Sequence, residues 1–426
     1  MSLHDQLERL ADTAPRPGID HAVWERGRAL RRRDRLVTSA VVVVMVLVVG
    51  GLASLVLGPP RAVAPANETV PAGAIPRRIY DVPAAADLPL ETDLAIGQGS
   101  VAFVSSSGLP IVVGASDGAY HSLELPHWGA DSVLAISPSG DRLAWLSERE
   151  AAGAPALRVL TLRTGEIGTG GVSHDAALRP TAVSWSPNGN ALAWLGEQPG
   201  GSLYGIRLVE GGLPSTRVVS SDKDGLVGVA VADDGRLALG TGSGQILLEA
   251  RKEGTRKIAG SDGTPASFSP SGSVLALETR IPSPDSSTLE VATGKQWRHP
   301  FPAGTLAPAT TRPLGWLDDR QQLVLAQESF DEDAELIVTT PKVGQNSTWR
   351  RRVGSVDPGA ATTLSTAVDL IPGLDGTSSQ QLTHDFGEPE WLGERDISWM
   401  IGLGAAGVLS VLYALRWLWR RRTPRV

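Results

Sequence analysis

The sequence predicts an all-β fold, a β-propeller flanked by two transmembrane α-helices, and three observations predict it. A strand–turn–strand phrase recurs in the middle of the chain: "ISPSGDRLAWL" (Ile136–Leu146) and "WSPNGNALAWL" (Trp185–Leu195) agree at seven of eleven positions, 49 residues apart. Two uncharged apolar runs bracket that middle. Gly (48) and Pro (30) together make about 18% of the 426 residues, which favours many short turns over long helices.

Residues 1–35 read as a cytoplasmic tail. Ser2 can cap a short helix with Asp5 three residues on, and Leu3, Leu7 and Leu10 share one face. Thirty-five residues cannot bury a core, so the tail is a juxtamembrane or targeting element or, through its leucine face, a partner-docking helix.

The first transmembrane helix is expected at 36–57 and the second at 397–415. Leu36–Leu57 is 22 residues without a charge and Ile397–Leu415 is 19; either crosses a hydrocarbon core of about 30 Å at about 1.5 Å per residue. Arg26, Arg28, Arg31, Arg32, Arg33 and Arg35 precede the first run. Arg416, Arg420, Arg421, Arg422 and Arg425 follow the second. The positive-inside rule then gives a two-pass plasma-membrane protein with both termini cytoplasmic and the middle extracytoplasmic. Trp391, Trp399, Trp417 and Trp419 cluster at the edges of the second run, as interfacial aromatics do. Ala62–Ala64 has the small-x-small look of a signal-peptide cleavage site. The long charged region before it and the 22-residue run favour a retained anchor.

Charge follows the same division. The tails 1–35 and 416–426 carry 13 basic and 6 acidic residues, whereas 36–415 carries 26 and 40. An acidic middle excludes nucleic acid as its partner, because phosphate neutralisation needs the opposite sign. The basic tails suit anionic membrane lipids. With no cysteine, the chain has no disulfide, thiolate metal site or cysteine nucleophile. Five lysines against thirty-four arginines, among abundant Ala, Val and Gly, point to a high-GC bacterial source.

Anchored on the turn glycine, the repeated phrase recurs at Gly99, Gly140, Gly189, Gly235, Gly272 and Arg320, in steps of 41, 49, 46, 37 and 48 residues. Pro138, Pro187 and Pro270 preset φ in their turns, and Gly140, Gly189, Gly235 and Gly272 tolerate the positive φ that reverses a twisted strand pair. A third strand follows each turn by 11 to 17 residues, as in "PIVVGA", "ALRVLTL" and "QILLEAR". A fourth follows most of these, as in "STRVVS" and "TRKIAG". Four antiparallel strands at this period are the arithmetic of a propeller blade. Trp145 and Trp194, at matching places in "LAWL", are expected to pack between blades.

These "SP(S/N)G-x-x-LAW" hairpins resemble the repeats of WD40/TolB-type propellers over roughly residues 88–357. No Gly-His pair opens the blades and no Trp-Asp pair closes them, so TolB-like is the closer description. The resemblance implies a fold and no activity. Six blades are legible within a propeller at 77–386. "TTLSTAVDL" (Thr362–Leu370) and "QQLTHDF" (Gln380–Phe386), closed by "RRIYDV" (Arg77–Val82), would supply a shared seventh. Residues 58–76 and the acidic 387–396 read as short linkers, and 416–426 as a basic cytoplasmic tail.

Motifs for chemistry are few. "GASDG" (Gly114–Gly118) fits the nucleophile-elbow pattern, but strands flank it on both sides, so a hairpin turn is expected. "GLGAAG" (Gly402–Gly407) lies inside an apolar run, where small residues serve helix packing rather than dinucleotide binding. His174–Asp175 and His384–Asp385 are neighbours that point apart on a strand. Asn67 and Asn346 stand in glycosylation sequons, which are mute in a bacterium. No metal site, cofactor or catalytic residue is expected. The sequence predicts a non-enzymatic binding or sensing module that takes a protein partner at the propeller or the N-tail and signals to a cytoplasmic regulator. An envelope scaffold, or a hydrolase or lyase with its site in the propeller channel, remains as an alternative.

Overall fold

The SP(S/N)G phrase folds as a hairpin tip for reasons visible in its atoms. In a computed structural model of the chain, Ser137 and Gly140 close the turn (Gly140 N to Ser137 O, 2.9 Å) with Gly140 at φ 74°. The Ser137 backbone N donates to Arg142 O, while its hydroxyl accepts the Arg142 amide at 3.1 Å. Ser186 and Ser269, both fully buried, repeat that reciprocal pair with Ala191 and Val274. The serine thus satisfies a strand-end amide that the turn would orphan. The tip at Arg320 lacks the glycine, and there Asp318 Oδ1 accepts both the Arg320 and Gln321 amides at 2.7 Å.

The described residues are 70–83, 86, 88–147, 155–172, 178–199, 201–209, 215–219, 225–250, 254–258, 261, 263–279, 285–300, 310–342, 349–389 and 391, with 409, 412, 413 and 416. Six sheets form the ring. Blade 2 is Val133–Ile136, Arg142–Leu146, Ala156–Thr161 and Glu166–Gly171. Blade 3 is Arg179–Trp185, Ala191–Gln198, Gly201–Leu208 and Ser215–Val219. Blade 4 is Leu226–Val231, Leu237–Thr241, Ile246–Ala250 and Gly254–Ile258; blade 5 is Gly263–Phe268, Val274–Thr279, Asp285–Glu290 and Gln296–Pro300. Blade 6 is Thr310–Trp316, Gln322–Gln327, Ala334–Thr339 and Arg350–Val356, with Arg78–Ile79 added parallel to its outer strand.

Blade 1 is composite. The N-terminal side supplies Gly99–Val104, Pro110–Gly114 and Tyr120–Leu123, with Leu90–Glu91 added parallel outside, and the C-terminal side supplies the innermost strand, Ser365–Thr366. The seventh blade expected from the sequence is therefore not formed. Thr362–Leu370 completes blade 1, "RRIYDV" edges blade 6, and "QQLTHDF" pairs with the N-terminal strap through the parallel bridge Pro76–His384. Blade 1 lacked an inner strand of its own, and the spare segments closed that gap rather than adding a blade.

Each blade is sandwiched between neighbours, so its second strand reads as a run of buried residues rather than an alternation. Leu143, Ala144, Trp145 and Leu146 are all fully buried. Trp145 packs between blades 1 and 2, Trp194 between blades 2 and 3. Gly205 lies flat under the Trp194 indole, where a Cβ would come within 2.4 Å of Nε1.

Apart from four helical residues (Leu409, Leu412, Tyr413 and Arg416), both apolar runs and both tails, with Leu3, Leu7 and Leu10, lie outside the described residues. No helix among the described residues is long and apolar enough to cross a membrane.

Candidate functional site

The innermost strands of blades 2 to 6 and the strap Thr362–Thr366 wall a central channel with a cavity of about 400 Å³. Small side chains dominate the wall (Ser132, Ala135, Thr181, Ser184, Thr264 and Ser267 among them), and Glu278 and Arg312 are the two charged residues lining it.

Arg312, on the inner strand of blade 6, holds the strap in place. Its Nη1 donates to Thr362 O at 2.7 Å, and its Nη2 donates to Ala361 O at 2.6 Å and Leu364 O at 3.2 Å. Burial in the wall lowers the guanidinium's pKa, and the nearby Glu278 charge opposes that. The strap gains further grip from Thr363, which exchanges hydrogen bonds with Val104 N and O, and from Ser365 Oγ, which accepts the Ile136 amide at 3.0 Å.

Glu278 sits on the second strand of blade 5. Burial raises its carboxyl pKa, and Arg312 only partly offsets that. Its backbone pairs with Thr264 in the blade, while its carboxylate takes no hydrogen bond or ion pair from the described residues. Two buried hydroxyls of the same wall, Ser267 Oγ and Thr366 Oγ1, also lack partners.

The turn residues picked from the sequence stand at the hairpin tips, where they form one rim. Pro138 O accepts the Asp369 amide at 3.0 Å, and Pro187 lines the channel beside it. Pro270 occupies the tip of blade 5 beside Gly272. Gly189, Gly235 and Gly272 take φ of 71°, 82° and 67°. Adjacent tips interlock: Asn188 N on Asp233 Oδ1 at 3.0 Å, Arg236 Nη2 on Gly272 O at 3.1 Å, and Ser271 N on Asp319 Oδ1 at 2.8 Å. Asp319 is held below the usual carboxylate range by hydrogen bonds from Ser271 and Ser269, which outweigh the upward push of burial. "GASDG" is a hairpin turn, with Gly118 at φ 66° and Gly114 N bonded to Ala119 O. His384 pairs with the N-terminal strap and Asp385 meets Arg77 at 3.6 Å. His174–Asp175, Gly402–Gly407, Asn67 and Asn346 lie outside the described residues.

Sequence reasoning missed Glu278 and Arg312, since neither stands in a motif. It also missed a pair of indole contacts: Trp185 Nε1 donates to Ala135 O at 2.9 Å and Trp316 Nε1 to Ser267 O at 3.2 Å, each tying an inner strand to the preceding blade. Both tryptophans end an inner strand just before a tip, a shared position that could have flagged them.

No protein-family model matches the chain, and no curated protein matches it. Among solved structures the chain is similar to TolB from Acinetobacter baumannii, at 16% identity and a TM-score of 0.40, covering 59% of this chain and 62% of that one. That is under two thirds of the Acinetobacter protein. It is similar to a protein assigned as TolB from Agrobacterium tumefaciens (14%, 0.39, 63% and 97%). It is also similar to a catalytically inactive virginiamycin B lyase from Staphylococcus aureus with quinupristin (14%, 0.37, 60% and 93%). These likenesses speak to fold alone, and the six sheets themselves establish the six-bladed propeller.

Proposed function

We propose that this chain is a non-enzymatic, membrane-anchored β-propeller that acts as a binding or sensing module for a protein partner outside the cytoplasm. The observation that supports it most is how the two ends of the propeller segment are knitted together. His384 N donates to Ile75 O at 2.8 Å, and Arg77 N to His384 O at 2.7 Å. Beside them, Val70 bonds Ser116 O, Phe386 lies against Gly118, and Trp391 stacks edge-on to Tyr120 at 5.3 Å. The segments that lead from Leu36–Leu57 and toward Ile397–Leu415 thus meet the ring at one seam, as two stems of a common tether would. The other blades are left free to bind. The basic tails then contact anionic lipid, and Leu3, Leu7 and Leu10 offer a cytoplasmic regulator a docking face.

The absence of cysteine makes the topology directly testable, because any thiol introduced is the only one. Ser378→Cys should react with a membrane-impermeant maleimide on intact cells, and Ser2→Cys only after permeabilisation. The reverse pattern, or labelling of both, overturns the reading. In-cell crosslinking of the full chain, with and without residues 1–14, then assigns partners to the ring or the tail.

One observation favours a second reading. A partly buried carboxyl with a raised pKa in a channel is placed as a general acid would be, so Glu278 could serve a hydrolase or lyase. Turnover abolished by Glu278→Gln, with binding intact, would decide for the enzyme.

A further inference from the structure

The cations of the ring are not spread evenly over its blades. Because the strands of a blade alternate in direction, its first and third turns open on one face of the ring and its second turn on the other. In blade 5, accordingly, Val291 N beside the third turn bonds Ser273 O beside the first at 2.9 Å. From the end of the third strand to the end of the fourth, blades 4, 5 and 6 (250–258, 290–300 and 339–356) carry ten basic residues against two acidic. The same stretches of blades 1, 2 and 3 (114–123, 161–171 and 208–219) carry two against three. Four of the five lysines in the chain, Lys252, Lys257, Lys295 and Lys342, stand in this one arc of an otherwise acidic segment.

The arc runs from blade to blade. Arg256 Nη1, on the outer strand of blade 4, donates to Val291 O at 3.1 Å and Ala292 O at 2.8 Å at the third turn of blade 5. There Lys295 Nζ lies 3.9 Å from the centre of the Trp297 ring. Trp349, 47% exposed, stands just before the outer strand of blade 6. Lys257, Lys295 and Lys342 are exposed and form no ion pair among the described residues. The arginines differ: Arg256 is spent on carbonyls, Arg351 on the Thr377 and Gln380 carbonyls, and Arg352 on Glu335 at 2.9 Å. An acidic protein would be gripped best by such fixed guanidinium forks, and these are already engaged. What is left outward is ammonium on flexible stems, interleaved with indoles. That combination suits a fluid anionic interface, where ammonium reaches phosphate without fixed geometry and indole sits at headgroup level. The same face receives both ends of the propeller segment, because Val70 N bonds Ser116 O and Phe386 lies against Gly118, both in the third turn of blade 1.

We propose that the third turns of blades 4 to 6 form a docking surface for anionic lipid, seated by Lys257, Lys295 and Lys342 and flanked by Trp297 and Trp349. This rests on the membrane-anchored reading and deepens it. The tether holds the ring near a bilayer, and the arc selects the face that lies on it. The second turns, including Phe330 at 74% exposure, then point away toward a partner.

The full chain would be reconstituted with vesicles of phosphatidylcholine alone and of phosphatidylcholine with phosphatidylglycerol. Retention on the vesicles after alkaline carbonate extraction reports the anchor and does not depend on the arc. In a chain without cysteine, an environment-sensitive fluorophore on Ala292→Cys reports the arc, and one on Ser329→Cys reports the opposite face. The probe at 292 should shift to the blue and be quenched by spin-labelled lipid in the anionic vesicles alone, and high salt should reverse both changes. The probe at 329 should not respond. Lys257→Gln, Lys295→Gln and Lys342→Gln combined, with the melting transition checked for folding, should lower the docked-to-undocked ratio about a hundredfold, at about fivefold per lysine. A chain retained after carbonate whose 292 probe stays silent, or responds equally in both lipids, overturns the docking surface and leaves the anchor standing. A chain stripped by carbonate overturns the anchor, and a salt-sensitive shift on phosphatidylglycerol would still support the arc. A silent probe, with an acidic protein crosslinked in cells by the parent and lost from the triple variant, overturns the lipid assignment and gives the arc to that protein.

Discussion

Two seams of the ring are built by opposite means. Between blades 6 and 1 the described residues bury a cluster of 22 hydrophobic side chains, including Phe103, Ile111, Leu336 and Val356, whereas the separate apolar cluster on the other flank of blade 6 is Ala326 with Ile337 alone. Leu323 and Leu325 point to the first seam, so by alternation Gln322, Val324 and Ala326 point to blade 5. Facing them are Ser286, Thr288 and His299, all buried, and the two blades are joined through Thr311, which bonds Asp285 O at 2.8 Å and Thr279 Oγ1 at 3.3 Å. The difference follows from connectivity. Blades 5 and 6 are consecutive in the chain, so a short connector holds them together at high effective concentration and the seam can be polar. Blade 6 runs on directly only into the short inner strand Ser365–Thr366, and the rest of blade 1 is joined to it through pairings such as Ser365 with Ala102 and Arg78 with Ser355, hundreds of residues apart, so contacts at this seam must supply the closure.

The contrast breaks most visibly at Arg312. Arg312→Met removes a buried cation and leaves the Ala361, Thr362 and Leu364 carbonyls without a donor, so the strap should loosen and the ring lose about 3–5 kcal/mol in a denaturant titration. Hydrogen exchange should accelerate at Thr366 and Ala367, beyond the residue's own contacts. A loss confined to a few tenths would show that the 6/1 seam closes without the strap.

The two identical-looking tips give the next test. Gly140 and Gly189 share sequence and φ, but a Cβ on Gly140 would lie 2.0 Å from Gly99 O at the closing blade, whereas on Gly189 it meets nothing nearer than Pro138 Cδ at 3.7 Å. Gly189→Ala should cost about 1–2 kcal/mol for left-handed backbone alone. Gly140→Ala should cost about 1–3 kcal/mol more, since the blade 1 strand must move. Equal melting temperatures for the two variants would contradict this account.

That pair also marks how far the sequence reaches. The tips, their spacing and the apolar second strands were legible because each is a local phrase with a local cause: a turn glycine, a serine that caps, a run buried on both faces. Blade number was not, because Thr362–Leu370 reads equally well as part of a seventh blade or as the missing strand of the first. Only the vacancy beside Gly99–Val104 decides it, and that vacancy is a tertiary fact. Glu278 and Arg312 were invisible for a related reason. Each is an ordinary charged residue on a strand, and its meaning comes from which way the ring turns it.

On the polar side of the comparison, Gln322 is fully buried with neither end of its amide bonded to the protein, opposite Thr339, whose hydroxyl is likewise unpaired. Gln322→Met keeps the volume and removes the unsatisfied groups, so it should stabilise the ring by about 1 kcal/mol. Destabilisation instead would mean that the 5/6 seam depends on that amide.

The smallest effect lies where this seam opens on the channel. Glu278 and Arg312 are the charged residues there, and Glu278 is the carboxyl among them whose titration adds to the pH dependence of stability. Its folded pKa is raised above the ordinary glutamate value by burial. Between the two values the folded state binds more protons than the unfolded one, so stability should fall as pH rises through that window and be constant above it. The opposite slope belongs to a carboxylate stabilised by a partner, which Glu278 lacks. Glu278→Gln should remove this falling component from the profile, leaving the slopes contributed by Asp319 and Asp369. If the variant keeps the parent's slope through the window, the charge on Glu278 is compensated in the folded protein.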